Sequence, residues 1–286
     1  MFAVLALASA VLYGAADFIG GMAARRADTI PVVAVSQAAG LILVLLMLTM
    51  LGTAMPGRHD LLWSGAAGIA GGVGVALLYR ALAVGLMSLV APVTAVCSVA
   101  VPVVIAVAFL RERPATLAGA GIAIALAAIV LVSQAGESTA APSEGAAGGL
   151  RRRGLGLALA SGVSIGLFFL ALARTSAAAG LWPLLVARAC SVALFVAFGL
   201  ASGRSLQLPR PIAAIAIAGG ILDMLANLLY LLAARQGPLT LVVTLSALYP
   251  ASTVMLAWTV LHERLTPRQW AGVALALGAI VLIVRG

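Results

Sequence analysis

Long apolar stretches separated by short polar breaks run along the whole chain. Each stretch holds about 18 or more apolar or small residues without a charge cluster, which is the length that a helix needs to cross a bilayer. The stretches do not alternate polar and apolar positions, so the pattern excludes strands and an outer-membrane barrel. It predicts ten transmembrane helices, at residues 2–22, 30–51, 61–82, 87–110, 115–133, 154–173, 181–201, 211–234, 238–261 and 267–284.

The breaks carry turn-forming residues, and one break is longer than the others. Thr266, Pro267 and Gln269 are typical of an N-cap, a first helical position and a capping-box residue, so they predict the start of the last helix. Residues 134–153 are rich in Ala, Gly, Ser, Pro and Glu and cannot form a core, which indicates a flexible linker. This linker separates two units of five helices, at residues 1–133 and 154–286.

The composition narrows the class of protein. Hydrophobic residues make up 64% of the 286 residues and charged residues only 9%, against about 25% charged in soluble chains. These values exclude a soluble enzyme, a nucleic-acid-binding domain and a disordered chain. The 17 basic residues are all Arg and lie in small groups between apolar runs, which is typical of charge that flanks membrane spans. We therefore expect no nucleic-acid partner.

The two units resemble each other in sequence. With a shift of 151 positions, residues 77–79 fall on 228–230 (Leu-Leu-Tyr in both), and Glu112-Arg113 falls on Glu263-Arg264. Most positions from 120 to 132 are also identical to their shifted counterparts. Because each unit crosses the membrane an odd number of times, the second unit enters from the opposite side. The pattern therefore predicts an inverted-topology repeat, which is the architecture of many secondary transporters.

The order and spacing of several motifs in the second unit point to a known family. These motifs are Leu229-Tyr230, Gly237-Pro238, Ser246–Pro250, His262–Thr266 and Gly272. They resemble the EamA-type, ten-helix members of the drug/metabolite transporter superfamily. The first unit is a weaker match: Tyr13-Gly14 stands where the family commonly has Trp-Gly, and Gln37 stands where it often has Arg, which Arg188 keeps. The resemblance implies a central cavity lined mainly by helices 1, 3, 4, 6, 8 and 9, and export or exchange of small metabolites.

Ionisable groups inside the spans are costly and usually face the interior of the bundle. Asp223, Asn227 and Tyr230 share one helix face, so they could bind the amine and polar groups of a substrate. The alternative is that Asp223 only neutralises Arg188. Two acids against one Arg leave one carboxylate unpaired, and Asp17 is the preferred proton carrier unless it pairs with Arg25 or Arg26 at the membrane edge. The cavity candidates are Asp17, Tyr79, Arg188, Asp223, Asn227, Tyr230 and Tyr249, and the gating candidates are Pro92, Pro102 and Pro250.

Three classes of function fit such a chain. We predict a secondary transporter that exports or exchanges small metabolites, such as amino acids, nucleobases or related organic compounds, by alternating access, with protons as the candidate coupling ion. A lipid-linked substrate flippase or a channel-like facilitator is the alternative. An intramembrane enzyme is least favoured, because no metal-binding or nucleophile motif occurs and His59 and His262 lie at loops. We expect no cofactor and no metal.

The location and orientation follow from the spans. We expect a monomer in the inner membrane of a bacterial cell, with a small-molecule substrate and the lipid bilayer as partners. Ten spans put both termini on one side, which the resemblance implies is the cytoplasm. The Arg distribution favours the opposite orientation, because the odd-numbered loops hold nine Arg and the even-numbered loops with the C-terminus hold six.

Overall fold

The chain is helical over most of its length in the computed structural model, which describes residues 1–51, 55–84, 87–133, 144–203, 205–252, 255–256 and 267–285. Its helices are α1 (Phe2–Ala24), α2 (Thr29–Leu51), α3 (Arg58–Val84), α4 (Met87–Ala108), α5 (Thr116–Ser133), α6 (Glu144–Ala173), α7 (Trp182–Ala201), α8 (Arg210–Ala234), α9 (Leu239–Ser246) and α10 (Pro267–Arg285). No strand occurs in these ranges, so the all-helical fold predicted from the sequence is confirmed.

The length and composition of the helices suit a membrane. Within the described residues, α1, α2, α3, α6, α7 and α8 are long and apolar enough to cross a bilayer. The apolar parts of α4, α5, α9 with its continuation, and α10 are shorter, at 10–17 residues. Large apolar side chains also point outward on many helices, as lipid contact requires. Examples are Val4, Ile42, Leu62, Ile69, Val104 and Leu277.

The observed starts of α10 and α6 test two predictions about the polar segments that precede these helices. Helix α10 begins at Pro267 as predicted, whereas Thr266 and the side chain of Gln269 lie outside the described residues. Helix α6 begins at Glu144, inside the segment that the sequence assigned to the linker. Extending a formed helix adds one hydrogen bond for each residue that is fixed. The Gly- and Arg-rich residues before position 154 therefore continue the apolar span outward instead of forming a loop.

The ninth span is broken where the sequence predicts one helix over residues 238–261. Helix α9 ends at Ser246, a turn follows at residues 247–248, and the helix resumes at residues 249–252. Pro250 explains the break, because a helical proline removes the hydrogen bond to the carbonyl four residues earlier and its ring crowds that carbonyl. Here that carbonyl belongs to Ser246. Residues 253–254 and 257–266 lie outside the described residues.

The two halves of the chain interleave. Helix α3 packs on α6 and α7, and helix α8 packs on α1 and α2, so each of these helices is held by two helices of the other half. Helix α5 packs along α10, and α2 packs along α7. If each helix is replaced by its counterpart in the other half, the contacts of α3 with α6 and α7 become the contacts of α8 with α1 and α2. The bundle is therefore held together mainly by contacts between the halves.

Two hydroxyl contacts recur in both halves. Ser9 on α1 donates to the carbonyl of Ala226 on α8 at 2.9 Å, and Ser161 on α6 donates to the carbonyl of Gly74 on α3 at 2.8 Å. Donors and acceptors of the two bonds are 152 positions apart. A second, longer set has the same offset. It comprises Thr94 to the carbonyl of Ala158 at 3.2 Å and Ser246 to the carbonyl of Ala6 at 3.4 Å.

Close backbone contacts between α2, α3, α7 and α8 depend on two glycines. A Cβ atom on Gly220 of α8 would lie 2.1 Å from the carbonyl oxygen of Ser36 on α2. A Cβ atom on Gly68 of α3 would lie 2.3 Å from the carbonyl oxygen of Ala187 on α7. Small residues allow helix backbones to approach in this way inside a membrane. The approach positions the polar side chains of α2, α7 and α8 around one space.

Polar side chains join three connections at one end of the bundle. Asp60, in the first turn of α3, accepts hydrogen bonds from the N–H and the hydroxyl of Ser176, both at 2.8 Å. Arg235, which follows α8, donates to the carbonyls of Ser176 at 3.1 Å and Gly180 at 2.8 Å. The start of α3, the α6–α7 loop and the end of α8 therefore lie together, as alternate crossing requires.

At the same end, Glu112 caps α9 from the α4–α5 loop. Its carboxylate accepts hydrogen bonds from the N–H groups of Leu239 at 2.9 Å and Thr240 at 3.0 Å. These N–H groups have no partner within the helix, and the helix dipole favours negative charge there. The preceding Arg111 has a φ of 56°, a left-handed conformation that arginine rarely adopts. The turn at Arg111 brings Glu112 to the helix that it caps.

Candidate functional site

A cavity lies between the two halves of the bundle. Residues of α1, α2, α3, α6, α7 and α8 line it, together with Tyr249 beyond α9. The resemblance implied helices 1, 3, 4, 6, 8 and 9, which leaves out α2 and α7, although Arg188 on α7 was itself a cavity candidate. Among the described residues, α4 adds no lining side chain. Most of the wall is apolar or small, and its charged members are Asp17, Arg188 and Asp223.

A chain of polar contacts crosses the cavity wall from α1 to α2. The hydroxyl of Tyr13 on α1 donates to Oδ1 of Asn227 on α8 at 2.7 Å. Asn227 Nδ2 then donates to Oδ2 of Asp223 at 3.2 Å and to the Asp223 carbonyl at 2.6 Å. Arg188 on α7 donates to both Asp223 and Oε1 of Gln37 on α2. These contacts link four helices and both halves.

The position of Arg188 fits this pairing. Its side chain is 9% exposed and that of Asp223 is 20% exposed, so the ion pair is mostly shielded from solvent. Removing one partner from a buried ion pair leaves an uncompensated charge, which costs about 3–5 kcal/mol. Gln37 and Arg188 are 151 positions apart, so they occupy equivalent places in the two halves. The interaction of Arg188 with Asp223 that the sequence suggested is present, and its role in transport stays a prediction.

Asp17 lines the same cavity but, unlike Asp223, is not paired with an observed cation. Its side chain is half-buried on α1, and within the described part of the chain it forms no hydrogen bond or salt bridge. The pairing with Arg25 or Arg26 that the sequence left open is therefore not observed. Asp223 takes the positive charge of Arg188, and Asp17 is left with none. The described wall of the cavity thus holds two carboxylates and one guanidinium.

Aromatic rings form much of the remaining wall. Tyr13 meets Phe169 edge to face with ring centroids 5.8 Å apart, and Phe168 lies 5.5 Å from Phe169. Tyr249 lines the cavity, and its part in substrate binding stays a prediction. Ser191 on α7 also lines it, and its buried hydroxyl has no hydrogen-bond partner among the described residues. Besides the carboxylate of Asp17, the described wall therefore offers aromatic rings and the buried Ser191 hydroxyl, which has no observed hydrogen-bond partner.

Two of the candidate tyrosines do not line the cavity. Tyr230 is fully buried, and its hydroxyl donates to the carbonyl of Phe169 on α6 at 2.9 Å. It shares a helix face with Asp223, but seven residues separate the two, which is about 10 Å along the helix axis. Its ring packs against Phe169 with ring centroids 4.5 Å apart, so Tyr230 lies behind the wall and does not line the cavity. Tyr79 is buried with its hydroxyl against Gly20 of α1.

The proline candidates lie on helices next to the cavity but not in its wall. Pro102 on α4 is buried against Gly166 of α6. Pro250 is buried just after the break in the ninth span. The side chain of Pro92 lies outside the described residues. Their part in gating remains a prediction.

Sequence reasoning overlooked several residues of this region. Phe168 and Phe169 are the only adjacent aromatic pair in the chain, which was a usable signal. Ser191 stands one helical turn after Arg188, on the same helix face. Asp60 gave no signal, because an acid at the start of a span is ordinary. Its partner, Ser176, lies 116 positions away in the sequence.

The sequences of both halves match one family of membrane proteins. The sequence model of the EamA-like transporter family matches residues 1–134 and, separately, residues 152–285. The chain belongs to the EamA-like transporter family. This finding confirms the resemblance to the drug/metabolite transporter superfamily and makes the chain a membrane transporter by family. No curated protein matches the sequence.

A solved structure has the same fold. One protein crystal structure superposes on this chain with a TM-score of 0.76 at 15% sequence identity. The match covers 98% of this chain and 95% of the other. At this identity the similarity supports the fold and carries no information on the substrate.

Proposed function

We propose that this protein is a secondary transporter that moves small organic metabolites by alternating access around the cavity between its halves. The observation that carries the proposal is the polar chain from Tyr13 to Gln37, which joins both halves inside a wall that is mostly apolar or small. Polar groups are costly inside a membrane and mark substrate or ion paths. Export or exchange is the predicted direction.

We further propose that the two halves form an inverted repeat. Each half contributes five helices, and an odd number reverses the orientation of the second copy. The matched hydrogen bonds of Ser9 and Ser161 support a two-fold relation between the halves. The exchanged packing of α3 and α8 supports the same relation. Two similar halves of opposite orientation can exchange conformations and so open the cavity to either side in turn.

Asp17 is the proposed coupling group. Its carboxylate faces the cavity, and within the described residues no cation neutralises it. A carboxylate in such a place can carry a proton in one half of the cycle and release it in the other. Asp223 is less suited to this role because Arg188 holds its charge.

Flux measurements in proteoliposomes test these proposals. A panel of radiolabelled metabolites is loaded, and efflux is followed with and without an imposed proton gradient. We expect flux that saturates with concentration and responds to the gradient. Asp17→Asn removes the gradient response, whereas Asp28→Asn removes the same charge from the α1–α2 loop and leaves the response intact. Flux that neither saturates nor responds to the gradient would favour a channel-like facilitator instead.

The membrane side of the termini needs its own test. The family leads us to propose the cell membrane with both termini in the cytoplasm, against the Arg distribution. The contacts of Asp60, Arg235 and Glu112 lie at the end of the bundle where the chain starts. Reporter fusions at both termini identify the compartment of that end. Two periplasmic reporters would reverse the orientation proposed here.

A further inference from the structure

We propose that the cavity selects a small organic monocation with an apolar body over neutral and anionic molecules of the same size. This inference rests on the transport function proposed above. It starts from the charges of the wall. Asp17 and Asp223 are carboxylates and Arg188 is the guanidinium, so the described lining carries one uncompensated negative charge whenever Asp17 is ionised. A desolvated site with a net charge favours a ligand of the opposite charge.

The hydrogen bonds of Arg188 make this guanidinium a poor binding site for an anion. One terminal nitrogen of its guanidinium donates to Gln37 and the other donates to Asp223. An anionic ligand at Arg188 would either displace Asp223 or share the single positive charge of the guanidinium with that carboxylate. In both cases it would add a negative charge to a cavity that already holds Asp17. A cation needs no such rearrangement, because the Asp17 carboxylate is open to the cavity.

The rest of the wall suits the body of such a cation. Tyr13, Phe168, Phe169 and Tyr249 present aromatic rings, and rings attract cations placed over their faces. Ser191 adds a buried hydroxyl without a partner among the described residues, which can accept a hydrogen bond from an ammonium group. Small and aliphatic residues of α3 complete the surface around an apolar body. The charge, the rings and the hydroxyl point to one class of ligand, an aryl- or alkyl-ammonium ion.

Binding of three probes that differ in charge and little in size tests the inference. Phenethylammonium is the cation, phenethyl alcohol the neutral molecule and hydrocinnamate the anion. The full chain is placed in lipid nanodiscs, and each probe competes with radiolabelled phenethylammonium at neutral pH. We expect the cation to bind at least about tenfold more tightly than the alcohol, and hydrocinnamate to bind most weakly of the three.

Substitution of Asp17 assigns the preference to one side chain. Asp17→Asn keeps the shape of the side chain and is expected to weaken cation binding about tenfold or more while leaving the alcohol unchanged. Asp17→Glu restores the charge and retains the preference. Asp28→Asn is the matched control, since it removes an exposed acid from the loop before α2. Circular dichroism confirms that each variant is folded.

The outcomes separate this inference from the transport proposal. Equal affinity for the three probes, a preference for hydrocinnamate, or unchanged cation binding in Asp17→Asn would overturn the inference. In those cases, saturable flux of any solute in the metabolite panel leaves the transport function standing. Absence of saturable flux for the whole panel by a folded, reconstituted protein overturns the transport function itself.

Discussion

The close approach of α2 and α8 makes a quantitative prediction about Gly220. In Gly220→Ala the new Cβ lies 2.1 Å from the carbonyl oxygen of Ser36, whereas ordinary contact begins at 3.4 Å. The helices must therefore separate by 1.3 Å at this point. A gap of about 0.5–1 Å already forfeits a quarter to a half of the dispersion energy between packed atoms. Overpacking of this kind costs about 1–3 kcal/mol.

Alanine also favours the helix more than glycine does, by about 0.5–1 kcal/mol. The two effects oppose each other, and the net expectation is a loss of up to about 2.5 kcal/mol in the free energy of unfolding. Gly278→Ala on α10 is the matched control, because its Cβ would meet nothing within 4 Å. We expect that variant to keep or raise stability.

Reversible unfolding in mixed micelles, titrated with a denaturing detergent and followed by circular dichroism, measures both variants. Gly68→Ala is the repeat-related partner, since its Cβ would lie 2.3 Å from the carbonyl oxygen of Ala187. We expect it to lose as much stability as Gly220→Ala. If Gly220→Ala proves no less stable than Gly278→Ala, the backbone approach described here is not a constraint on the bundle.

Three further substitutions test the polar contacts. Exchange of Arg188 and Asp223 keeps one positive and one negative side chain at these two positions. Transport that survives the exchange assigns the pair a structural role, and lost transport in a folded variant assigns the pair a role in transport. Glu112→Gln removes the negative charge and one of the two hydrogen bonds at the start of α9. We expect the free energy of unfolding to fall by about 1–2 kcal/mol and the amides at the start of α9 to lose protection from hydrogen exchange. Unchanged protection would show that Glu112 does not cap this helix. Ser9→Ala and Ser161→Ala each remove one of the two matched hydrogen bonds, and we expect each to lower the free energy of unfolding in detergent by about 0.6 kcal/mol. Unequal losses would contradict the proposal that these two bonds are equivalent in the repeat.

Hydropathy was enough to predict the helical class because lipid contact is a property of composition. A span that faces lipid needs apolar residues over a fixed length, and no knowledge of its neighbours enters. Helix ends depend on other rules. The start of α10 at Pro267 followed from local cap chemistry. The start of α6 at Glu144 did not, because a helix can extend beyond its apolar part into residues whose composition indicates a loop.

Part of the cavity wall could be predicted from the sequence, and the rest depends on how the helices pack. Periodicity places Asp223, Asn227 and Tyr230 on one face, and all three do lie along one line. It does not say how far the cavity reaches along that line, so Tyr230 was assigned to the cavity although it bonds to the carbonyl of Phe169. The lining by α2 and α7 depends on how the halves pack. That packing follows from contacts between distant residues, such as Gly220 and Ser36, which a single sequence does not display.

The same duplication that makes the backbone nearly symmetric leaves the cavity chemically asymmetric. Helix α8 supplies Asp223 and Asn227, whereas α3, its counterpart, supplies Gly71, Gly72 and Val75. One helix therefore gives polar contacts and the other gives space. A substrate with a charged end and an apolar body fits such a wall in one orientation only. In the transport mechanism proposed above, the symmetry of the halves serves the conformational exchange, and the departures from symmetry at these positions select the substrate.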